Sequence, residues 1–136
     1  MRKTIMTFIL VIFSLLVLAG CGGGGPEPVE ATIALTEFAF SPDGIQVAPG
    51  AEVTLTLEND GALEHNFIVM NQGVNLTDWT DADQANIYFE QLALPAGQNT
   101  AVTFTAPSEP GAYQILCSIP SHLTQGMQGT LTVTAP

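Results

Sequence analysis

Residues 113–127 read YQILCSIPSHLTQGM and join the end of a strand to a loop that is rich in metal donors. From Tyr113 to Cys117 every second residue is apolar or a thiol, which predicts a β-strand that buries this face. The loop then presents Cys117, His122 and Met127, with four residues between the first two donors and four between the last two. A thiolate, imidazoles and a weak axial thioether form the donor set of blue-copper electron-transfer sites.

The chain contains one other histidine, His65, which can complete this donor set. It opens the segment HNFIVM at residues 65–70, which also reads as a strand. His65 shares its parity with Phe67 and Val69, so we expect its imidazole to point inward. Pro120 and Gly126 prevent the later loop from continuing as a strand, which lets it fold over one end of the domain.

With these residues in place, the chain resembles the cupredoxins over nearly all of the sequence after the first thirty residues. The spacing Cys-x4-His-x4-Met is most like that of the auracyanins, a membrane-associated bacterial subgroup. The resemblance implies one type 1 copper ion, held by His65, Cys117, His122 and Met127.

The resemblance also implies roles for residues around the metal. Asn66 and Ser118 match the positions that tie the first histidine strand to the cysteine loop, and the carbonyl of Glu64 matches a distant fifth contact found in some members. The edge of His122 is expected to reach the surface inside an apolar rim. We predict that this rim serves partner docking and contains Ala62, Leu63, Ile119, Pro120 and Leu123.

Period-two alternation elsewhere predicts an all-β protein, a cupredoxin-like Greek-key sandwich of about seven to eight strands. A helical insertion is expected around 78–95, because Thr80 and Asp83 resemble a capping box and apolar residues then recur at helical spacing. We place this helix at residues 81–91, with its apolar face covering the sandwich. Trp79 is expected in the core or at its rim.

The amino terminus predicts export and lipidation. Residues 1–20 have a basic start and an apolar run, as in a lipoprotein signal peptide, and Leu18 to Cys21 resembles a lipobox with Cys21 as the lipidated residue. The alternative is an uncleaved membrane anchor, for which the run is short. Residues 21–30 form a Gly/Pro tether and 31–136 the domain. We therefore expect a lipid-anchored protein at the cell membrane that faces the periplasm or the exterior.

Charge is distributed very unevenly along the chain. Arg2 and Lys3 are its only basic residues apart from the two histidines, and thirteen acidic residues follow without a Lys or Arg partner. Such a surface excludes nucleic acid and favours redox proteins of a membrane electron-transport chain with basic docking surfaces. An acidic surface also maintains solubility, so both roles stay open at this point.

These patterns predict an electron carrier that shuttles single electrons through one copper ion. Four ligands leave no open position for a substrate, which argues against an enzyme, and two histidines cannot supply the further centres of a multicopper oxidase. The alternative is a periplasmic protein that delivers or stores copper. If the protein were a metal-free adhesive sandwich, the presence of all four donors would be a coincidence.

Overall fold

The computed structural model describes residues 24–135, which form a two-sheet β-sandwich. The predicted signal peptide, Cys21 and the start of the tether lie outside the described residues. The strands are β1 (Val29–Thr36), β2 (Ala39–Ser41), β3 (Gly44–Val47), β4 (Glu52–Asn59), β5 (His65–Met70), β6 (Ile87–Leu94), β7 (Asn99–Thr105), β8 (Gly111–Leu116) and β9 (Gln128–Val133).

One sheet has the order β2-β1-β4-β7 and the other the order β3-β9-β8-β5-β6. Strand β4 shows how the sequence pattern builds the core between them, because Val53, Leu55 and Leu57 are fully buried while the intervening residues are not. Side chains of a strand alternate between its two faces, so this pattern directs one face of the sheet inward. The predicted sandwich is confirmed.

Residues 24–135 contain nine strands, against the predicted seven to eight, and the alternation pattern did not mark β2 and β6. The predicted helix at 81–91 is wrong beyond its first half. A 3₁₀ helix spans Asp81–Asn86, and the carboxylate of Asp83 accepts hydrogen bonds from the amide and hydroxyl of Thr80 at its start. The chain then enters β6, which pairs with β5 in an antiparallel ladder.

Pairing with β5 explains why residues 87–91 are extended. The ladder satisfies backbone groups that a helix would satisfy internally, and it brings Phe89 onto Phe104 with stacked rings 4.4 Å apart. Leu92, which helical spacing placed on the buried face, is instead 67% exposed. The apolar residues that suggested a helix therefore share no common face.

Strand β5 is buried on both sides, which fixes His65 at its start. Phe67 and Val69 face the core between the sheets, while Ile68 and Met70 face a second apolar cluster on the outer side. Trp79, as part of the segment between β5 and β6, packs against that second cluster.

The buried amide of Gln114 holds this outer segment in place. It accepts a hydrogen bond from the Leu76 amide at 2.7 Å and donates one to the Leu76 carbonyl at 2.8 Å. The outer side of β5 is thus covered by a loop that hydrogen bonds directly to β8.

The amino-terminal edge of the domain begins slightly earlier than the sequence suggests. Strand β1 starts at Val29 and pairs in parallel with β4, so the last two residues assigned to the tether belong to the sheet. Within residues 24–135, no helix has the length and apolar character needed to cross a membrane.

Truncation of Leu55 to alanine should destabilise the metal-free domain by about 2–5 kcal/mol, because it leaves a cavity between the sheets. Leu92→Ala removes the same atoms from an exposed site and should change the free energy of unfolding by no more than about 0.5 kcal/mol. Urea denaturation of both variants measures the difference. Equal losses would contradict the burial pattern.

Candidate metal centre

Three segments of the chain converge at one pole of the sandwich. His65 is the first residue of β5, Cys117 follows β8 directly, and His122 and Met127 come from the loop between β8 and β9. This loop contains a 3₁₀ turn at Leu123–Gln125.

The loop folds back on itself through backbone hydrogen bonds. The amide of Cys117 donates to the Met127 carbonyl at 3.2 Å, and the amide of Met127 donates to the His122 carbonyl at 3.0 Å. The amide of His122 donates to the carbonyl of Ile119 at 2.9 Å. These bonds place all three donors of the loop beside the end of β8.

The donor atoms themselves lie close together in the interior. His65 Nδ1 is 3.2 Å from His122 Nδ1, and Cys117 Sγ is 3.4 Å from His122 Nδ1. These ligand atoms of the three buried residues all lie within 4.8 Å of one another. Among the described residues, this is the cluster of histidine, cysteine and acidic side chains that could hold a metal ion.

Met127 completes the site from the core side. Its side chain is fully buried in the same apolar cluster as Cys117. Met70, the other methionine of the described residues, lies in the outer cluster on the opposite face of β5. The thioether on the site's side of the sheet therefore belongs to Met127.

Asn66 and Ser118 join the two main ligand segments. The Asn66 side chain donates to Ser118 Oγ at 2.8 Å and accepts from the Ser118 amide at 2.8 Å. The Asn66 backbone amide also points at Cys117 Sγ, 3.5 Å away. The position of the Glu64 carbonyl relative to a metal stays a prediction.

Burial controls the protonation of the donors. Desolvation lowers the pKa of His65, with a smaller contribution from the neighbouring His122, while Glu37 acts in the opposite direction. Desolvation also lowers the pKa of His122 and raises the pKa of the Cys117 thiol. Both imidazoles are therefore neutral near pH 7 and can offer a nitrogen lone pair, and the thiol must release its proton on ligation.

Two residues at the site were not predicted from the sequence, and both lie in the turn between β1 and β2. The ring of Phe38 packs edge-on against His122, with centroids 5.1 Å apart. The Glu37 carboxylate lies 3.6 Å from His65 Nε2. The turn contains no glycine or asparagine to mark it, so the sequence offered no signal there.

Two residues that adjoin His122 have positive φ angles. Phe38 has φ of 35° and Ser121, directly before His122, has φ of 72°. Non-glycine residues adopt such angles at a cost of about 1–3 kcal/mol each, and they cluster at functional sites. Packing around the second imidazole therefore maintains a local conformation that the chain would otherwise avoid.

The predicted rim is partly present at the surface. Leu63 is 47% exposed, Ala62 and Pro120 are exposed, and Ile119 is half-buried. Leu123 was wrongly placed in the rim, because it is only 5% exposed and packs into the cluster outside β5. His122 is also 5% exposed, with Phe38 against its ring.

The donor set fits a copper ion better than a harder metal. One soft sulfur, two neutral imidazoles and a buried thioether suit copper, whereas magnesium and calcium require oxygen ligands. The nearest carboxylate, that of Glu37, faces the Nε2 side of His65, away from the converging Nδ1 atoms.

Comparisons with known proteins agree with this geometry. Residues 28–134 match the family described as copper binding proteins, plastocyanin/azurin family. Auracyanin-A of Chloroflexus aurantiacus is 29% identical over 98% of the chain and 99% of its own length, and Auracyanin-B of the same organism is 32% identical over 79% of the chain and 52% of its own length. The solved structure of dithionite-reduced auracyanin from Roseiflexus castenholzii superposes with a TM-score of 0.66 at 30% identity, covering 77% of this chain and 96% of that one.

Replacement of Asn66 by alanine should destabilise the metal-free domain by about 1–3 kcal/mol, because it removes two hydrogen bonds between the ligand segments. Ser118→Ala is the matched control, since it removes the hydroxyl but keeps the bond from the Ser118 amide to Asn66. Its cost should be about half as large. Equal losses of unfolding free energy for the two variants in urea denaturation would contradict a stabilising role for the hydrogen bond from the Ser118 amide to Asn66.

Proposed function

The chain belongs to the plastocyanin/azurin family of copper-binding proteins, and we propose that it is a membrane-tethered blue copper protein that shuttles single electrons between redox partners. The observation that carries this proposal is the convergence of the nitrogen and sulfur atoms of His65, Cys117 and His122 within 4.8 Å in a buried site. With Met127, these residues are arranged as a type 1 copper site.

When bound, copper supplies a one-electron change between its +2 and +1 states. The protein supplies ligands that suit both states: a soft thiolate from Cys117, neutral imidazoles and a weak thioether from Met127. Because β5 is buried on both faces and the loop is held by its own hydrogen bonds, the protein itself restrains the positions of these ligands. A fixed ligand set needs little rearrangement when an electron enters or leaves.

Full burial of the ligands favours a carrier over a copper-delivery protein. His65, Cys117 and Met127 are completely shielded from solvent, and His122 is nearly so. A delivery site must present its ion to an acceptor that replaces the ligands, and such exchange is slow when the ligands lie inside a packed core.

We assign the electron port to the surface beside His122. Leu63 is exposed in the loop before His65 and Pro120 in the loop before His122, and Phe38 and Ile119 are half-buried. An apolar patch excludes water from the contact with a partner and shortens the path of the electron. The acidic remainder of the surface would orient a partner that carries basic residues.

The tether assignment rests on the sequence. Residues 18–21 resemble a lipobox, and a Gly/Pro segment of seven residues, 22–28, connects Cys21 to β1. Such a segment reaches roughly 25 Å when extended, which would keep the domain close to a membrane surface. The proposed partners are therefore redox proteins of the same membrane.

Addition of Cu(II) to the purified domain should produce an intense thiolate-to-copper absorption band in the visible range. Cys117→Ser should abolish this band, because a serine hydroxyl cannot replace the thiolate, and the protein should otherwise stay folded. Visible absorption and voltammetry check both points. A band that survives in the variant would sink the blue-copper assignment, and rapid loss of copper to a chelator would favour delivery.

Leu63→Glu should slow electron exchange with a physiological or surrogate redox partner by at least about tenfold, because it places a charge in the apolar contact. Ala112→Glu is the control, since Ala112 is exposed near the start of β8, about 16 Å along the strand from Cys117. Stopped-flow kinetics give the rates, and absorption spectra verify an unchanged copper site. Equal electron-exchange rates for the two variants would contradict the assignment of the port to this surface.

A further inference from the structure

The turn between β1 and β2 contacts both imidazoles of the site through consecutive residues. Phe38 packs on His122, and Glu37 approaches His65. The Glu37 side chain also reaches the loop before β5, where its Oε1 accepts hydrogen bonds from the amides of Ala62 at 2.7 Å and Leu63 at 2.8 Å. One carboxylate oxygen thus faces both the loop and the first histidine.

The Glu37 carboxylate approaches His65 at its Nε2 atom. His65 Nε2 is buried and has no hydrogen-bond partner, and Glu37 Oε1 lies 3.6 Å from it. A neutral imidazole carries one proton, so a free lone pair on Nδ1 requires that proton on Nε2. The carboxylate is the negatively charged group that this N–H faces.

Gly61 makes the approach possible. A Cβ atom at this position would lie 2.6 Å from Glu37 Oε1 and 3.0 Å from His65 Nε2. Both distances are shorter than van der Waals contact allows, so any larger residue would push the carboxylate and the imidazole apart. The turn at residues 59–61 therefore leaves space for this contact.

The same loop is held from its other side by Asn59. Its buried side-chain amide donates to the carbonyls of Leu63 and Leu94, each at 2.8 Å. Glu37 and Asn59 together fix the residues that lead into His65. The loop is irregular in its backbone, yet its position is defined at both edges.

We propose that Glu37 is a positioning residue for the metal centre, which holds the proton of His65 on Nε2, directs Nδ1 to the metal and places a negative charge beside that ligand. This inference rests on the proposed function. A carboxylate behind a metal-bound histidine orients the ring and makes it a stronger donor. It therefore favours the more positive oxidation state of the ion.

The charge of Glu37 acts without an opposing cation. Residues 4–136 contain no Lys or Arg, and in the described part of the chain the Glu37–His65 contact is the one pairing of acidic and basic side chains within 4 Å. The Glu37 side chain is 34% exposed, so water screens its charge in part but does not remove it.

Glu37→Gln separates the charge of this residue from its shape, because the carboxamide oxygen can still accept from the amides of Ala62 and Leu63. We expect the affinity for Cu(II) relative to Cu(I) to fall about tenfold. For one electron this corresponds to a rise of about 59 mV in the reduction potential. Protein-film voltammetry of the copper-loaded variant measures the shift.

Glu52→Gln is the matched control. It removes the same charge from the start of β4. This position lies roughly 23 Å along the strand from Asn59, which hydrogen bonds to the loop before His65. Its potential should shift by less than the equivalent of a twofold change in relative affinity, because the separation exceeds the screening length. A Glu37→Gln shift no larger than that of Glu52→Gln would overturn the electrostatic role.

Glu37→Ala tests whether the carboxylate fixes the loop before β5, and this test needs no metal. Amide hydrogen exchange of the metal-free protein should be roughly tenfold faster at Ala62 and Leu63 in this variant and unchanged in Glu37→Gln. Unaltered exchange in Glu37→Ala would overturn the positioning role. A wild-type protein with no reversible copper couple would overturn the proposed function instead, while the exchange rates would still decide whether Glu37 fixes the loop.

Discussion

Two hydrogen bonds between the side chain of Asn66 and Ser118 connect the strands that carry the metal donors. Without them, the start of β5 and the end of β8 would be joined by a short ladder at residues 68–69 and 115–116 and by the contact of the Asn66 backbone amide with Cys117 Sγ. His65 and Cys117 sit just beyond that ladder, where strand pairing no longer defines their separation. The site therefore depends on a side-chain bridge at the point where the sheet stops.

The second constraint is that the site is assembled without cationic side chains. A carboxylate in a protein can be paired with Lys or Arg, but residues 4–136 contain neither. Backbone amides replace these cations, since those of Ala62 and Leu63 hold Glu37 and that of Asn66 faces the Cys117 sulfur. The pKa of Glu37 is lowered chiefly by the hydrogen bond from the Leu63 amide.

The sequence predicted most of what has a repeating pattern and little of what depends on a single contact. Alternation located the strands around Leu55 and Tyr113 because burial of one sheet face imposes a period of two. It failed at residues 87–91, where pairing with β5 overrides helical spacing, and at Leu123, which turns inward behind the ligand loop. The contact of Glu37 with His65 could not be predicted from the sequence, because the turn that carries Glu37 is distant from His65 along the chain.

The absence of Lys and Arg after residue 3 also determines which proteases can act on this protein. Trypsin cuts after Lys and Arg, and the chain has no such residue beyond Lys3. Survival in trypsin therefore says nothing about whether the sandwich is folded, whereas for most proteins it reports the population of open states. Reagents that couple to lysine amines find no target there either. Immobilisation, crosslinking and limited digestion of the domain must instead rely on carboxylates or on cleavage at aromatic and acidic residues.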